Sequence, residues 1–371
     1  MRWISIAACT EGMCLAKNIY NEDGLVLLGA GVELSRLYIE RLKRMGISYV
    51  YVEDERTEGI VAPDMLREAT RSQANKLIRT EFKNLMVDSS KRKRTVQKLD
   101  KQFTTLLDNI IDDISSHNEA MVMLGDIQAS DYYVFRHSLN VSIYTTLLGL
   151  HYGYNRDDLK ALCLGALLHD IGKTQIDRNI LNKPGRLSPE EYTHMKTHTE
   201  VGYNILREYV NIPVLSANCA YQHHERINGS GYPRGLKAND IHDYAKWVAI
   251  ADSYDAMTSN RVYHTAILPH EALEILYTGS GTLYEQHMLT VFRDKIAVYP
   301  LGMTVELSSG EIGVISQINA NCPQRPVVRL LKDPDGQDYS DLRELDLSTS
   351  LNVMIKGSKL DVIENVAYIS I

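Results

Sequence analysis

The apolar run from Ala161 to Leu168 ends directly at a histidine and an aspartate, His169 and Asp170. A run of this composition predicts a helix that is buried on nearly all sides. An imidazole and a carboxylate at the end of such a helix lose their hydration, and the loss costs free energy unless the two groups are paired or bind a cation. Any fold of this chain must therefore provide a partner for His169 and Asp170.

Lys173 lies three residues after Asp170, a spacing that places both side chains on one helix face. Its ammonium could hold a phosphate oxygen beside a bound cation. It could equally form a surface ion pair with Asp170 at a helix end that includes Gly172. The motif alone leaves both interpretations open.

Two more motifs place polar groups in apolar helical sequence. His223 and His224 are adjacent, so both can reach one centre only if their helix ends or bends there. Asp252 follows an apolar helical pattern. Asp255, one turn later, could orient a ligand or the guanidinium of Arg261, or it could be an ordinary charge near a helix end.

Composition excludes several classes of protein. The 371 residues are 44% hydrophobic, which supports a sizeable core and two or three domains. The net charge of −7 argues against a surface that wraps a nucleic-acid polymer. The five cysteines form no CxxC pair, and no stretch approaches the about 20 apolar residues of a membrane span. We therefore expect a cytoplasmic protein without a membrane span.

The pattern predicts a mainly α protein with four regions. Residues 1–60 form a small N-terminal α/β module, with a hairpin around Asp23-Gly24 and a helix capped by Ser35. Residues 61–118 are a helical linker, and 119–297 are an all-helical domain that carries the chemistry. Residues 298–371 are a small C-terminal β-rich appendage.

Local patterns give further expectations within these regions. The helix after Ser35 should bury four residues, namely Leu37, Ile39, Leu42 and Met45. Strands are expected at Met13–Ile19, Leu25–Leu28 and Ile47–Val52, and in the appendage at Thr304–Leu307, Ile312–Ile318 and Val327–Leu331. The basic run 91–94 is interpreted as a solvated turn between two helices, with contact to nucleic acid or lipid as the alternative.

These residues resemble the HD-GYP family, a branch of the HD-domain metal phosphohydrolases. The resemblance covers about residues 119–296 and rests on ordered motifs: His137-Ser138 with Asn140-Val141, His169-Asp170-Ile171-Gly172-Lys173, His198, His223-His224-Glu225-Arg226, Gly229-Ser230-Gly231-Tyr232-Pro233 and Ala251-Asp252-Ser253-Tyr254-Asp255. It implies an all-helical HD-domain core. It also implies hydrolysis of cyclic di-GMP, a bacterial second messenger, to linear pGpG and in many members onward to GMP.

The resemblance also implies two divalent transition-metal ions, with iron or manganese expected first and nickel or zinc as alternatives. Their ligands would be His137, His169, Asp170 and Asp252 for one ion, and Asp170, His198, His223 and His224 for the other. Asp170 and Lys173 would be the catalytic residues. Substrate-binding residues would be Lys173, Arg261, Asp255, Gly231, Tyr232 and Pro233.

Three positions depart from the family pattern. Tyr133 stands four residues before His137, where members with a third metal carry glutamate, so pGpG is the expected product. The segment 260–264 lacks the usual proline and one basic residue, and His264 could replace that charge or have no role. His194 precedes His198 by four residues but matches no family ligand, so we expect it at the surface.

Alternatives from other classes remain open at this stage. The domain could hydrolyse another cyclic dinucleotide or nucleotide, or it could be a catalytically silent module that binds cyclic di-GMP or docks a diguanylate cyclase or another signalling protein. The helices of residues 61–118 could transmit a signal, form a homodimer or separate the domains. The terminal regions are expected to serve regulation or assembly.

Overall fold

The protein is mainly α-helical, with small β-rich parts contributed by both ends of the chain. The computed structural model describes residues 1–21, 25–86, 99, 101–116, 121–122, 133–183, 185–259 and 266–358. None of the helices in these ranges combines the length and apolar content that a bilayer crossing requires. The predicted fold class is confirmed.

The described residues of the N-terminal module form one α-helix and four short strands: β1 (Arg2–Ser5), β2 (Ile19–Tyr20), β3 (Val26–Leu28), α1 (Arg36–Arg44) and β4 (Tyr49–Val52). β1 pairs antiparallel with β4, and β2 with β3. The hairpin is confirmed, although its turn residues 22–24 lie outside the described residues. The strand expected over Met13–Ile19 is wrong for most of its length. Leu15 donates to Val32 and Ala16 to Tyr51, so this segment joins two different neighbours and forms no continuous ladder.

Helix α1 begins at its predicted cap, because the Ser35 hydroxyl accepts a hydrogen bond from the Tyr38 backbone N–H at 3.3 Å. Ile39 and Leu42 are buried as expected. Leu37 is 69% exposed, so the expectation that it points inward is wrong. A residue two positions from Ile39 is turned about 200° from it around a helix, and the core lies on the Ile39 side.

The central part of the chain is a bundle of helices: α2 (Glu68–Met86), α3 (Lys101–Ser115), α4 (Tyr133–Tyr152), α5 (Arg156–Leu168), α6 (Arg178–Leu181), α7 (Pro189–Lys196), α8 (His198–Arg207), α9 (Val214–Gln222), α10 (Asp243–Thr258), α11 (Pro269–Thr278) and α12 (Gln286–Lys295). Helices α4 and α5 pack side by side, and α9 and α10 pack against them. Asn155 caps helix α5, because its side chain accepts hydrogen bonds from the backbone N–H groups of Asp157 and Asp158. The helix ends at Leu168, as the sequence predicts.

Helices α2 and α3 contribute to the same core as the bundle. Ile78 and Phe82 of α2 and Leu106 and Ile110 of α3 are buried among residues of α4 and α5. The segment predicted as a linker therefore covers one side of the bundle. The four region boundaries themselves remain predictions.

The C-terminal part is a five-stranded antiparallel sheet in the order β10-β9-β8-β7-β11, formed by β7 (Thr304–Leu307), β8 (Ile312–Gln317), β9 (Val327–Lys332), β10 (Asp338–Asp346) and β11 (Ile355–Ser358). Before it, the two-residue strands β5 (Met121–Val122) and β6 (Ile296–Ala297) pair in parallel. The three predicted strands of this region are confirmed. Sequence reasoning missed β10, which is mostly exposed and rich in charged residues.

The N-terminal module and the C-terminal sheet pack into one common core. Trp3 is 1% exposed, and its backbone N–H donates to the Gly302 carbonyl at 2.8 Å. The Arg2 guanidinium donates to the Thr304 hydroxyl at 3.1 Å. The N-terminal module and the C-terminal sheet therefore form a single body beside the bundle.

Candidate metal centre

The seven residues predicted as metal ligands meet inside the helical bundle. His137 lies in α4, Asp252 lies in the middle of α10, and His198 is the first residue of α8. His169 and Asp170 lie in the turn that ends α5, and His223 and His224 lie in the turn that ends α9. His137, His169 and His223 are fully buried, and Asp252 is 7% exposed. Because α9 ends at Gln222, the chain turns at His223 and both adjacent rings reach the cluster.

Asp170 lies at the middle of this cluster, and its two oxygens face different histidines. Oδ1 is 3.5 Å from Nε2 of His198 and 3.8 Å from Nε2 of His223. Oδ2 is 3.4 Å from Nε2 of His169 and 3.7 Å from Nε2 of His137. One carboxylate thus stands between two pairs of imidazoles.

Backbone carbonyls determine the tautomer of three of these rings. Each ring places Nδ1 against a carbonyl three or four residues earlier: His169 against Ala166 at 2.7 Å, His198 against Met195 at 2.8 Å, and His223 against Cys219 at 2.9 Å. A carbonyl only accepts, so Nδ1 carries the hydrogen. Nε2 of each ring therefore faces the centre of the cluster, where it presents a lone pair whenever the ring is neutral.

Some of the buried nitrogen and oxygen lone pairs in this cluster have no hydrogen-bond donor. Burial lowers the pKa of His198 to about 4, and it moves the pKa of His223 well below the ordinary value, so both rings are neutral. Among the described residues, Nε2 of His169 and Oδ1 of Asp170 are buried without a hydrogen-bond partner. Converging imidazole and carboxylate lone pairs of this kind fit divalent transition metals.

His137 contacts two carboxylates, one at each of its ring nitrogens. Its Nδ1 lies 2.7 Å from Oδ2 of Asp255, and its Nε2 lies 2.9 Å from Oδ1 of Asp252. Burial opposes the charged ring, but the bonds and charges of Asp252 and Asp255 outweigh it and raise the pKa of His137. The Asn140 amide donates to the other oxygen of Asp255 at 2.8 Å.

This geometry corrects the expectation that Asp255 binds substrate. Both of its oxygens are engaged, and the residue is 2% exposed. Asp255 instead positions His137, as carboxylates behind metal-ligating histidines do. Sequence reasoning missed Asn140 in this role, although the residue belongs to the motif that follows His137.

Lys173 reaches the cluster from its open side. Its Nζ lies 2.5 Å from Oδ2 of Asp170, and its side chain is 16% exposed. Burial would raise the pKa of Asp170, but the charge of Lys173 and the neighbouring His169 outweigh burial and hold the pKa well below its ordinary value. The ion pair that the alternative expected does form, but it is not at the surface, because Asp170 is 1% exposed.

The predicted Gly231-Tyr232-Pro233 loop lies directly against the cluster. The Tyr232 ring stacks on the His224 ring, with centroids 4.6 Å apart and planes 23° apart. A side chain at Gly231 would place its Cβ 2.4 Å from the His224 carbonyl oxygen, so the close approach requires glycine. The bond between Tyr232 and Pro233 is cis.

Glu225 holds this loop in place through hydrogen bonds. Sequence reasoning assigned this residue no role. The residue is 3% exposed, and its carboxylate accepts from the backbone N–H groups of Arg234 at 2.8 Å and Leu236 at 2.9 Å. The available signal in the sequence was a carboxylate directly after the two histidines. Glu225 thereby holds Tyr232 against the cluster.

Some sequence predictions lie beyond what the structure describes. Arg261 and His264 fall outside the described residues, as does the basic run 91–94, and the Tyr133 side chain is not described either. His194 is exposed, as predicted.

A helical bundle with a buried, carboxylate-centred histidine cluster defines a protein with a candidate di-metal site. Residues 106–288 match the family model described as "HD domain", and residues 304–359 match the one described as "KOW domain associated with HD domain". Residues 106–288 therefore form an HD domain, and the motifs of this region resemble those of the HD-GYP branch.

Curated relatives match over 186 to 225 residues of this chain. A cyclic di-GMP phosphodiesterase of Pseudomonas aeruginosa is 31% identical over 225 residues, or 61% of this chain and 54% of the relative. One of Thermotoga maritima is 36% identical over 214 residues, or 57% and 56%. A 3'3'-cGAMP-specific phosphodiesterase of Vibrio cholerae is 33% identical over 186 residues, or 50% and 43%. The chain spans about half the length of these relatives.

Proposed function

We propose that this protein is a metal-dependent phosphodiesterase that opens cyclic di-GMP to linear pGpG in bacterial second-messenger signalling. One observation carries the proposal: Asp170 lies between two sets of imidazole Nε2 atoms, with one oxygen 3.5 Å from His198 and the other 3.4 Å from His169. A carboxylate with this placement can bridge two cations.

The ligand sets follow from which side chains lie together. His137 and His169 lie beside Oδ2 of Asp170 and next to Asp252, whereas His198 and His223 lie beside Oδ1 and next to His224. The first set is His137, His169, Asp170 and Asp252, and the second is Asp170, His198, His223 and His224. Imidazole and carboxylate donors suit iron, manganese, nickel or zinc, and we expect iron or manganese. When bound, two such ions supply Lewis acidity, which makes hydroxide available at neutral pH and offsets the charge of the phosphodiester.

The chain's own residues orient the reacting groups. The Lys173 ammonium, 2.5 Å from Asp170, is placed to donate to a non-bridging phosphate oxygen at the same position. Asp255 keeps a hydrogen on Nδ1 of His137 and so directs Nε2 of that ring inward. Tyr232 and the loop that Glu225 fastens cover the His224 side and limit the access of water.

The substrate class rests on the named relatives, which act on cyclic di-GMP or on 3'3'-cGAMP. A cyclic dinucleotide is therefore the class, with cyclic di-GMP as our choice and 3'3'-cGAMP as the second candidate. Tyr133 replaces the glutamate of three-metal members, so we expect hydrolysis to stop at pGpG. The intact set of converging ligands argues against a silent binding module.

The test begins with anaerobically purified protein. Elemental analysis should find transition metal, and mass spectrometry should find pGpG as the product of cyclic di-GMP. The double variant His169→Ala with Asp170→Ala should lose both metal and hydrolysis. His194→Ala, with an exposed histidine four residues before His198, is the matched control and should retain both. Protein that is replete with metal and leaves cyclic di-GMP intact would refute the proposal.

A further inference from the structure

Two tyrosines from different elements form a corner beside the candidate metal centre. Tyr192 lies in α7, and Tyr232 lies in the loop after α9, where it stacks on His224. Their ring centroids are 6.4 Å apart, and their planes are 80° apart. One wall of this corner therefore contacts a proposed metal ligand, while the other comes from the helix that precedes His198.

A lysine ammonium lies in the same place. Lys196 follows Tyr192 by one helical turn, and its Nζ is 5.2 Å from the centroid of the Tyr192 ring and 5.9 Å from that of Tyr232. A cation at these distances is attracted by the negative faces of the rings. The side chain is long and flexible, so it can move aside when another flat group enters the corner.

Core packing does not account for Tyr192. The residue is 49% exposed, whereas Tyr144 and Tyr254 of the bundle are 1% and 0% exposed. A half-exposed aromatic ring next to a site for phosphodiesters offers its face to whatever is attached to the phosphate. In a cyclic dinucleotide, that group carries a base.

We propose that Tyr192, Tyr232 and Lys196 form a subsite for a purine base of the substrate, and that this subsite prefers guanine to adenine. The inference rests on the proposed function, because it assigns the base of a substrate whose phosphate lies at the metal centre. A base that stacks on Tyr192 presents its edge to Tyr232, because the two rings are nearly perpendicular.

The preference for guanine follows from hydrogen-bond chemistry. Lys196 offers only donors. Guanine presents two adjacent acceptors, O6 and N7, on one edge, whereas adenine presents the N7 acceptor next to the N6 amino donor. The ammonium therefore gains two acceptors from guanine, while adenine sets a donor against it.

Equilibrium binding tests the subsite without any turnover. Calorimetry would compare GMP and AMP as probes of the metal-loaded protein. Tyr192→Ala should weaken GMP binding about 5- to 100-fold, the range of one base-stacking contact, and Tyr192→Phe should restore it. Lys196→Gln should lower the ratio of GMP to AMP affinity. The matched control is Tyr38→Ala, a surface tyrosine of α1 that is 36% exposed, and it should bind both probes as the unmodified protein does.

Kinetics give the second readout. For cyclic di-GMP, Tyr192→Ala should raise KM by a similar factor with kcat and metal content retained, whereas loss of metal would lower kcat. The kcat/KM of Tyr192→Ala for cyclic di-GMP should also fall relative to its kcat/KM for bis(p-nitrophenyl) phosphate, because that substrate has no base. Unchanged GMP affinity and unchanged KM in Tyr192→Ala would overturn the subsite even if cyclic di-GMP is hydrolysed. Tyr192-dependent GMP binding without hydrolysis of any cyclic dinucleotide would support the subsite and overturn the proposed reaction instead.

Discussion

The Nε2 atoms of His198 and His223 lie 3.3 Å apart, although neither ring has a hydrogen to place between them. Both rings use their Nδ1 hydrogen on a backbone carbonyl, and burial keeps both neutral. Two lone pairs at this distance repel each other unless a cation binds between them and Asp170. The contact is therefore the clearest structural sign of a metal site.

Removing one of these rings should release metal. We expect His223→Ala to lower metal affinity by more than about 100-fold, because even residues behind a ligand contribute about 10- to 100-fold. Inductively coupled plasma mass spectrometry of the purified variant measures the bound metal. His194→Ala should bind metal normally, and equal metal content in His223→Ala would contradict the ligand assignment.

The Asp255 carboxylate, which contacts His137, should affect metal affinity although it contacts neither the metal nor the substrate. Asp255→Asn removes the charge that orients His137 through the 2.7 Å contact with Nδ1. We expect metal affinity to fall about 10- to 100-fold while the fold is retained. Titration with a metal-binding competitor dye measures the affinity. Asp243→Asn changes an exposed carboxylate of the same helix and serves as the control, so equal losses in both variants would show that the effect is not specific to Asp255.

Gly172 allows the turn after α5 to lie against α8. A Cβ at this position would lie 1.9 Å from the His198 carbonyl oxygen and 2.6 Å from the Gly202 backbone nitrogen. We expect Gly172→Ala to reduce the free energy of unfolding by about 1–3 kcal/mol or more and to displace His198. Thermal unfolding and metal analysis check the two effects.

Gly357→Ala is the matched control for this substitution, because its Cβ would meet nothing within 4 Å. Its unfolding temperature should stay close to that of the unmodified protein. Should Gly172→Ala prove equally harmless, the close packing of the turn against α8 would be disproved.

Metal-free protein should lose stability as the pH falls. The pKa of His198 is about 4 in the folded protein, against an ordinary value of 6.5, because burial disfavours its charged form. The unfolded chain therefore binds a proton between these values while the folded chain does not, so acid favours unfolding. The pKa values of His223 and His224 are lowered in the same direction. His137 acts oppositely and at higher pH, because its raised pKa adds stability that is fully present below the ordinary value and is lost as the pH rises through the raised value.

Urea denaturation of metal-free protein at several pH values between about 4 and 6.5 measures this effect. We expect the free energy of unfolding to decrease as the pH falls from about 6.5 to about 4, and to decrease less in His198→Gln. His194→Gln should behave like the unmodified protein. A pH profile that His198→Gln leaves unaltered would show that this ring does not contribute.

Some of the candidate ligands could be predicted from local sequence because their cost is local, whereas His137 and His198 were expected only from the family resemblance. A histidine and aspartate after the run Ala161–Leu168 are unfavourable in any buried helix without a partner, and the adjacent pair His223-His224 requires a helix end. Both features depend only on neighbouring residues, and the structure shows both helix ends where expected. The helical and β-rich regions follow in the same way from hydrophobic periodicity.

Tertiary structure alone decided which groups face one another. Asp255 and His137 are separated by 118 positions, so no local pattern showed that Asp255 lies behind that ring rather than at the opening. The contact of Trp3 with Gly302 likewise joins the N-terminal module to the C-terminal region, and the corner of Tyr192 and Tyr232 joins a helix and a loop. Sequence periodicity determines which face of an element is apolar, but the partner of that face is selected by the packing of the whole chain, because burial free energy depends on contacts between distant segments.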